Sequence, residues 1–368
     1  MSQQRCSGDC DVSVVLPTYN EAENLPILIE MLDASLRRAG LCYEVIVVDD
    51  DSPDGTWKVA LQLAERGFPL KVRRRVGVRG LGAAIADGIK LARCRYVVVM
   101  DADLQHPPEV VPRLVEKASS GADVVVASRY APGGGVEGWS RARLFMSKAA
   151  GLLAHLLLPS SRSVSDPMSG FFLVRRELAA RLNLEAKSWK ILLEILAKAP
   201  SARVAEVPYT FRRRASGRSK LGVKAIVDYV LDLLRLSNYR ILKFAAVGAS
   251  GVAVNLAALE AAYVRAGLPD YLSYLASWEV SLTWNYVLHD TFTFRGARPS
   301  GLLNAVRYWL LYHLAAAASW AAYMATALSL HRLLGVDYRA AALAGIALGF
   351  IVNFAISQHK VWSDTRRT

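Results

Sequence analysis

Four apolar stretches near the end of the chain, about residues 244–264, 271–291, 308–330 and 340–358, contain no lysine or arginine. Each is long enough to cross about 30 Å of hydrocarbon as a helix. A chain that ends this way cannot close around one water-facing core, so it must divide. Residues 11–240 read as an ordinary globular α/β domain and residues 241–362 as a bundle of spans. The length of 368 residues allows two domains, and much of the 53% hydrophobic content falls in the second. Basic Arg295, Arg298 and Arg307 lie between the second and third stretches, and Arg366-Arg367 follow the fourth. The positive-inside rule puts both groups on the cytoplasmic side. The turns near Gly267-Leu268-Pro269 and Gly335-Val336-Asp337 then face outward. An even number of spans leaves the N-terminal domain cytoplasmic, and the polar start from Met1 to Asp11 reads as no signal peptide.

An internal repeat fits two tandem helical hairpins. Trp284-Asn285-Tyr286 with Phe294 reappears 68 residues on as Val352-Asn353-Phe354 with Trp362, and the same offset carries Phe244 onto Tyr312. Small residues (Gly248, Ser250, Gly251, Ala315 to Ser319, Gly345, Gly349) would let these helices approach closely. Glu260, Glu279, Asp290 and His313 lie in or near the spans. With no acidic–basic relay pattern, they are expected to be satisfied inside the bundle. The net charge is +13, with arginines clustered at 73–75, 212–214 and 366–367. Such a balance suits nucleic acid, anionic head groups or phosphorylated substrates. Cys6, Cys10, Cys42 and Cys94 make no zinc spacing.

In the first domain, strand 12–16 runs into Pro17-Thr18-Tyr19-Asn20-Glu21. Asn20 is the expected N-cap of a helix reaching about Ala39, with Glu21 and Glu23 in its first turn. Strand 44–48 ends in Asp49-Asp50-Asp51-Ser52-Pro53-Asp54-Gly55-Thr56, and a short strand at 70–73 leads into a helix from about Leu81 to Ala92. Val97-Val98-Val99-Met100 then breaks into Asp101-Ala102-Asp103-Leu104-Gln105-His106-Pro107. This β-α-β-α order predicts a parallel, doubly wound sheet with ligands bound beyond the carboxyl ends of its strands. Tyr19, Glu21, Asp50, Asp101 and Asp103 all fall at that edge. Two carboxylates one residue apart point the same way at a strand end. With a following amide they suit a hard divalent cation shared with a substrate's phosphates. The sequence has no Gly-x-Gly-x-x-Gly turn and no Gly-Lys-Ser loop, which disfavours dinucleotide and P-loop chemistry.

These motifs resemble glycosyltransferase family 2 with its GT-A fold, and more narrowly the dolichol- or polyprenol-phosphate mannose synthases. Later motifs agree: Ser128-Arg129-Tyr130, Arg143 with Ser147, Asp166-x-x-Ser169-Gly170-Phe171, Trp189-Lys190-Ile191, and Phe211-x-x-Arg214-x-x-Gly217-x-Ser219-Lys220. The likeness covers about residues 11–225, and the last third resembles a four-helix membrane domain fused to some such synthases. The resemblance implies that Pro17, Tyr19, Glu21, Val48 and Asp50 hold the nucleoside. It puts Asp101, Ala102, Asp103 and Gln105 at the diphosphate, with Asp101, Asp103 and Gln105 on Mg²⁺ or Mn²⁺. Arg129, Arg143 and Ser147 would take the lipid phosphate, and Lys190, Arg214 and Lys220 would bind phosphates and close the site. Asp101, Asp103, Arg129 and Lys190 are the implied catalytic group. Asp51 departs from the pattern, which often has Asn or Gly there.

The expected domains are a polar tail (1–10), a GT-A catalytic domain (11–222), an interface helix or linker (223–240) and a four-helix transmembrane domain (241–368). The implied reaction is inverting transfer of mannose from GDP-mannose to dolichyl or polyprenyl phosphate, with no nucleic-acid partner and the oligomeric state open. Two rivals are a glucosyl transfer from a UDP-sugar, and a glycolipid flippase regulated by its soluble domain. Gly133-Gly134-Gly135 is expected to be a mobile flap over the acceptor phosphate. His106 is expected to be structural, and Arg73-Arg74-Arg75, Arg212 and Arg213 to be surface charge. Residues 149–158 and 223–236 suit helices lying in the membrane interface.

Overall fold

The computed structural model describes residues 10–77, 79–185, 190–213, 223–297 and 299–362. The chain separates into two units, Met1–Leu236 and Ser237–Thr368.

In the first unit β1 (Val12–Thr18), α1 (Asn24–Arg38), β2 (Tyr43–Asp49), α2 (Thr56–Glu65), β3 (Leu70–Arg74), α3 (Leu81–Leu91) and β4 (Tyr96–Val99) follow the order read from the sequence. Then come α4 (Val111–Ser119), β5 (Val124–Ser128), β6 (Gly135–Val136), α5 (Arg141–Leu157), β7 (Phe172–Arg175), α6 (Arg176–Arg181), α7 (Ile191–Lys198), β8 (Val204–Pro208), β9 (Thr210–Phe211) and α8 (Val223–Leu236). Seven strands form one sheet in the order β3-β2-β1-β4-β7-β5-β8. The sheet departs from the all-parallel expectation, because β7 runs antiparallel between β4 and β5. The segment feeding β7 starts at the carboxyl ends of its neighbours, and a parallel strand would have required a crossover back to the far edge. The consequence is that residues 166–171 lie at the carboxyl ends of β4 and β5.

Helices cover both faces, so β1 and β4 are buried throughout. Val12, Val14 and Leu16 join Leu25, Leu28, Leu32 and Leu114 on one side. Val15, Ile46, Val97 and Val99 join Ile85, Ile89 and Ile195 on the other. α3 lies so close to β1 that a Cβ at Gly88 would sit 2.3 Å from Val15 Cγ1. Asn20 does not cap α1. It takes a left-handed φ of 62° and donates its N–H to Ser52 Oγ at 3.0 Å, while α1 begins at Asn24 with no side-chain cap. A Cys10–Cys94 disulfide ties the starts of β1 and β4, a link that cysteine spacing did not announce.

Among its described residues the second unit holds four long helices, α9 (Arg240–Glu260), α10 (Asp270–Leu288), α11 (Leu302–Leu328) and α12 (Tyr338–Ile356). α9 packs with α10, and α11 with α12. Each helix ends in one π-helical turn: Ala261–Arg265, His289–Thr293, Ser329–Leu333 and Ser357–Val361. The first and third of these, and the second and fourth, are 68 residues apart, so the sequence repeat extends to the backbone. Phe294 and Trp362, equivalent under the repeat, stack on each other with centroids 4.6 Å apart and planes at 12°. Equivalent residues of the two hairpins thus meet face to face.

A Cβ at Gly251 would lie 2.3 Å from Asn285 Oδ1, and one at Gly349 3.0 Å from the Ser319 carbonyl oxygen, as close helix approach requires. Gly248 meets nothing within 4 Å and plays no such part. Glu279 accepts from Thr283 Oγ1 at 3.0 Å and lies 3.2 Å from His313 Nε2. Asp290 accepts from Trp362 Nε1 at 3.2 Å, and Glu260 sits 3.9 Å from Arg265. Glu279, His313 and Asp290 are thus partnered within the unit, whereas Glu260 is exposed beside an exposed Arg265 and departs from the expectation. Among the described residues one helix, Arg240–Arg265, is long and apolar enough to cross a membrane. Arg298, Arg366 and Arg367 lie outside the described residues.

Candidate active site

The loops after β1 and β2 are laced together around Asp49. Its carboxylate accepts from Thr18 Oγ1 at 2.9 Å, Ser52 N–H at 2.8 Å and Ser52 Oγ at 2.6 Å. Glu21 N–H reaches Thr56 Oγ1 at 2.9 Å, and Ala22 N–H reaches Asp54 Oδ2 at 3.1 Å. Most polar residues of the Asp49–Thr56 motif therefore hold the loop, while buried Asp50 turns instead to the loop after β3, where Gly80 N–H donates to its Oδ2 at 2.7 Å. Pro17 and Val48 are partners across the β1–β2 register, and Arg79 lies over the Tyr19 ring at 4.9 Å. Asp51 has a left-handed φ of 56° and pairs with Arg74 at 2.6 Å, so the departing residue is accounted for by a surface ion pair. Of the run Arg73-Arg74-Arg75, expected to be surface charge, Arg75 is buried and bonds Asp50 Oδ1 at 2.6 Å.

At the end of β4, Asp101 is partly exposed, while Ala102, Asp103, Gln105 and His106 are buried. His106 is structural, as expected. Its Nδ1 accepts the Asp101 N–H at 3.0 Å, and its ring stacks on Phe171 with edges toward Tyr209 and Phe211. Burial pushes its pKa down, so it is a neutral Nε2–H imidazole that fixes the backbone at Asp101. Gln105 donates its N–H to Asp103 Oδ1 at 3.2 Å and its amide nitrogen to the Arg212 carbonyl at 2.9 Å. That second bond settles the amide orientation, leaving Oε1 as the end available to a ligand. Two carboxylates and an amide oxygen are a hard donor set that fits Mg²⁺ or Mn²⁺ completed by phosphate and water. No cluster of three His, Cys, Asp or Glu able to hold a metal by itself occurs among the described residues. Arg212, expected to be only surface charge, thus anchors the Gln105 loop through its backbone and pairs its side chain with Glu109.

Arg129, at the end of β5, is clamped by the fully buried Asp166. Its N–H, Nε and NH2 approach the carboxylate at 3.1, 2.6 and 2.7 Å. Burial works against the guanidinium charge, but Asp166 more than offsets it and holds the pKa above the usual range. In the sequence Asp166 carries no mark of this role beyond being an acid three positions before Ser169-Gly170. Trp139 was also missed: the Arg129 and Arg143 guanidinium groups lie over its ring at 5.3 and 4.3 Å. Ser147, one turn past Arg143 on α5, accepts from Tyr130 Oη at 2.8 Å. Lys190 donates to the Met168 carbonyl at 2.8 Å. Burial, with Arg129 nearby, pushes its pKa down to about 8, while Asp101 and Asp166 oppose the shift. The carboxylate loop, the clamped arginine and a half-buried lysine therefore share one sheet edge. The triglycine segment is no free flap, because Gly135–Val136 pairs with β9 and Gly134 N–H bonds Ala131. Arg214 and Lys220 lie outside the described residues.

Residues 13–182 match the family described as glycosyl transferase family 2, and residues 243–362 that described as GtrA/DPMS, transmembrane domain. A dolichol-phosphate mannosyltransferase of Pyrococcus furiosus is 41% identical over 357 residues, spanning 96% of this chain and 99% of that protein. A dolichol-phosphate mannosyltransferase of Saccharomyces cerevisiae is 38% identical over 236 residues, spanning 61% of this chain and 86% of that one. Among solved structures, the mannosyl-3-phosphoglycerate synthase of Rubrobacter xylanophilus superposes with a TM-score of 0.47 at 23% identity, over 63% of this chain and 74% of that one. That likeness is too loose to bear on the site.

Proposed function

The chain belongs to the dolichol-phosphate mannosyltransferases of glycosyltransferase family 2, and we propose that it moves mannose from GDP-mannose to dolichyl or polyprenyl phosphate at the cytoplasmic face of a membrane. The observation that carries this reading is that the segment before β7 touches both groups: Asp166 clamps Arg129 at 2.6 Å, Lys190 donates to the Met168 carbonyl at 2.8 Å, and a Cβ at Gly170 would lie 3.4 Å from Asp101 Oδ2. Cations for a departing diphosphate and for an incoming phosphate are then neighbours.

Breaking the sugar–diphosphate bond leaves negative charge on the nucleoside diphosphate. Lys190 offers a pre-placed positive charge for it, and Arg214 and Lys220 are assigned to the same phosphates. A Mg²⁺ or Mn²⁺ ion held by Asp101, Asp103 and Gln105 would neutralise further charge there. The acceptor is itself an anionic nucleophile, since a phosphate's second pKa lies near 6. It needs orientation more than deprotonation. Arg129 suits that role because Asp166 fixes its rotamer before substrate arrives, and Arg143 and Ser147 extend the site along α5. A single displacement inverts the sugar carbon. His106 is excluded as a base by burial and by its occupied Nδ1.

The chain is a membrane protein, and we assign it four spans, α9 to α12 with their π turns. Phe145, Met146 and Leu152 on α5, and Ile226, Val227 and Leu231 on α8, are exposed. Tyr229 Oη of α8 bonds the Ala150 carbonyl of α5 at 2.6 Å, so the two helices form one apolar surface suited to the lipid interface. The Cys10–Cys94 disulfide bears on the choice of face, since such bonds are rare in a reducing cytosol outside hyperthermophiles. Protease protection in sealed vesicles decides it.

The test of the reaction is a donor screen: full-length protein, purified polyprenyl phosphate, and radiolabelled GDP-mannose, UDP-glucose and UDP-N-acetylglucosamine. Lipid-linked mannose from GDP-mannose alone is the expected product. Glucose transfer in its place would overturn the donor, and no transfer from any donor would favour the flippase rival.

A further inference from the structure

We propose that Arg75 is the positioning residue of the nucleoside subsite, acting on the sugar nucleotide through Asp50 and Gly80. This rests on the reading of Asp50 as a nucleoside contact. Arg75 is the first residue past β3, and its N–H still bonds the Asp49 carbonyl at 2.8 Å. Its side chain is 6% exposed. One guanidinium nitrogen reaches Asp50 Oδ1 at 2.6 Å and the Gly80 carbonyl at 3.2 Å, and Nε lies 3.1 Å from Asp87 Oδ2 on α3. The ring closes through Gly80, whose N–H donates to Asp50 Oδ2 at 2.7 Å. Gly80 has a φ of +150°, a region side chains rarely enter, so this turn depends on glycine and on the bonds that hold it. Each Asp50 oxygen is thereby fixed by one donor.

A carboxylate oxygen has two acceptor positions, so each keeps one for a ligand. Such a carboxylate, oriented and paired, suits a base edge that presents N–H donors, as guanine and uracil do. The same turn carries Arg79 over the Tyr19 ring, so Arg75 positions both sides of the subsite. A buried arginine is a poor choice for plain cohesion, because apolar side chains of like volume often stabilise as well. Its forked, planar donors make sense where a geometry must be fixed.

The test uses full-length protein in detergent, with GDP and UDP binding measured by titration calorimetry beside the Michaelis constants for donor and acceptor. Arg75→Met should weaken nucleoside diphosphate binding and raise the donor KM about 10–100-fold, as expected for hydrogen bonds to a charged group. The acceptor KM should stay unchanged, and Arg75→Lys should recover part of the loss. Arg75→Met also takes from buried Asp50 its charged partner, so the pair Arg75→Met with Asp50→Asn is the control for folding. It should regain thermal stability yet bind no more weakly than Asp50→Asn alone. Wild-type affinity in Arg75→Met, additive losses in the pair, or affinity that returns with stability would each overturn the role of Arg75. A wild-type protein that bound no nucleoside diphosphate would overturn the site reading itself.

Discussion

Asp166→Asn tests the reasoning about the acceptor cation most directly. The substitution keeps shape and removes charge. Asp166 has no exposed surface and accepts three hydrogen bonds from Arg129, two of them at 2.6 and 2.7 Å from the guanidinium. An amide offers one oxygen, which can keep the Nε and backbone bonds. Its NH₂ then meets the guanidinium NH2 group donor to donor. Removing one partner of a buried pair costs about 3–5 kcal/mol, and the two retained bonds reduce this to about 2–3 kcal/mol. For a domain of this size that is a fall in Tm of about 4–12 °C. The freed arginine should also raise the acceptor KM about 10–100-fold, with the donor KM little changed. The assays are thermal denaturation and lipid-linked sugar formation against polyprenyl phosphate concentration. A control replaces the whole pair, Arg129→Met with Asp166→Leu, which should recover stability and still fail to use the lipid phosphate. Normal acceptor KM in Asp166→Asn, or activity in the apolar pair, would refute the argument.

Lys190 sets an alkaline limit. Its pKa, lowered to about 8, means the charged form prevails below that pH and is lost as pH rises through it. Its neighbour Arg129 keeps its charge there, and burial moves Tyr209 well above the range. The donor kcat/KM should therefore fall about tenfold per pH unit above about 8, and Lys190→Arg should remove that limb; an unchanged limb would rule Lys190 out as its source. Asp103→Ala should abolish transfer and its dependence on added Mg²⁺ or Mn²⁺ without lowering Tm, and near-normal turnover would sink the metal assignment. In the helical unit, Gly251→Leu should destabilise by about 1–3 kcal/mol or more, because its Cβ would meet Asn285 at 2.3 Å. Gly248→Leu, facing open space, is the matched control in the same denaturation assay.

The parts of the site visible in sequence were those whose local setting dictates their exposure. Asp101 and Asp103 end an apolar run, so a strand end was the only place for them. His106 was read correctly as structural, although nothing local gave the aromatic box that buries it. The misses have another cause. Arg75 looked like one of three solvated arginines, because a charge run carries no mark of which member bends under a neighbouring loop. Asn20 has the chemistry of an N-cap, and Ser52, a residue 32 positions on, claims its backbone instead. The triglycine segment looked mobile because glycine permits it, and pairing with β9 removes that freedom.

By itself the sequence determined the division into two units, the strand–helix order up to β4, the carboxylate edge and the 68-residue repeat. Each depends on periodicity or local spacing, which survives in one dimension. Tertiary structure decided what depends on meeting across distance: the antiparallel β7 that brings Asp166 under Arg129, the burial of Arg75 against Asp50, the Cys10–Cys94 tie, and the stacking of Phe294 on Trp362. The physical reason is common to all four. A side chain's charge state, rotamer and partner follow from burial and from atoms within about 3–4 Å, and chain order does not fix which atoms those are.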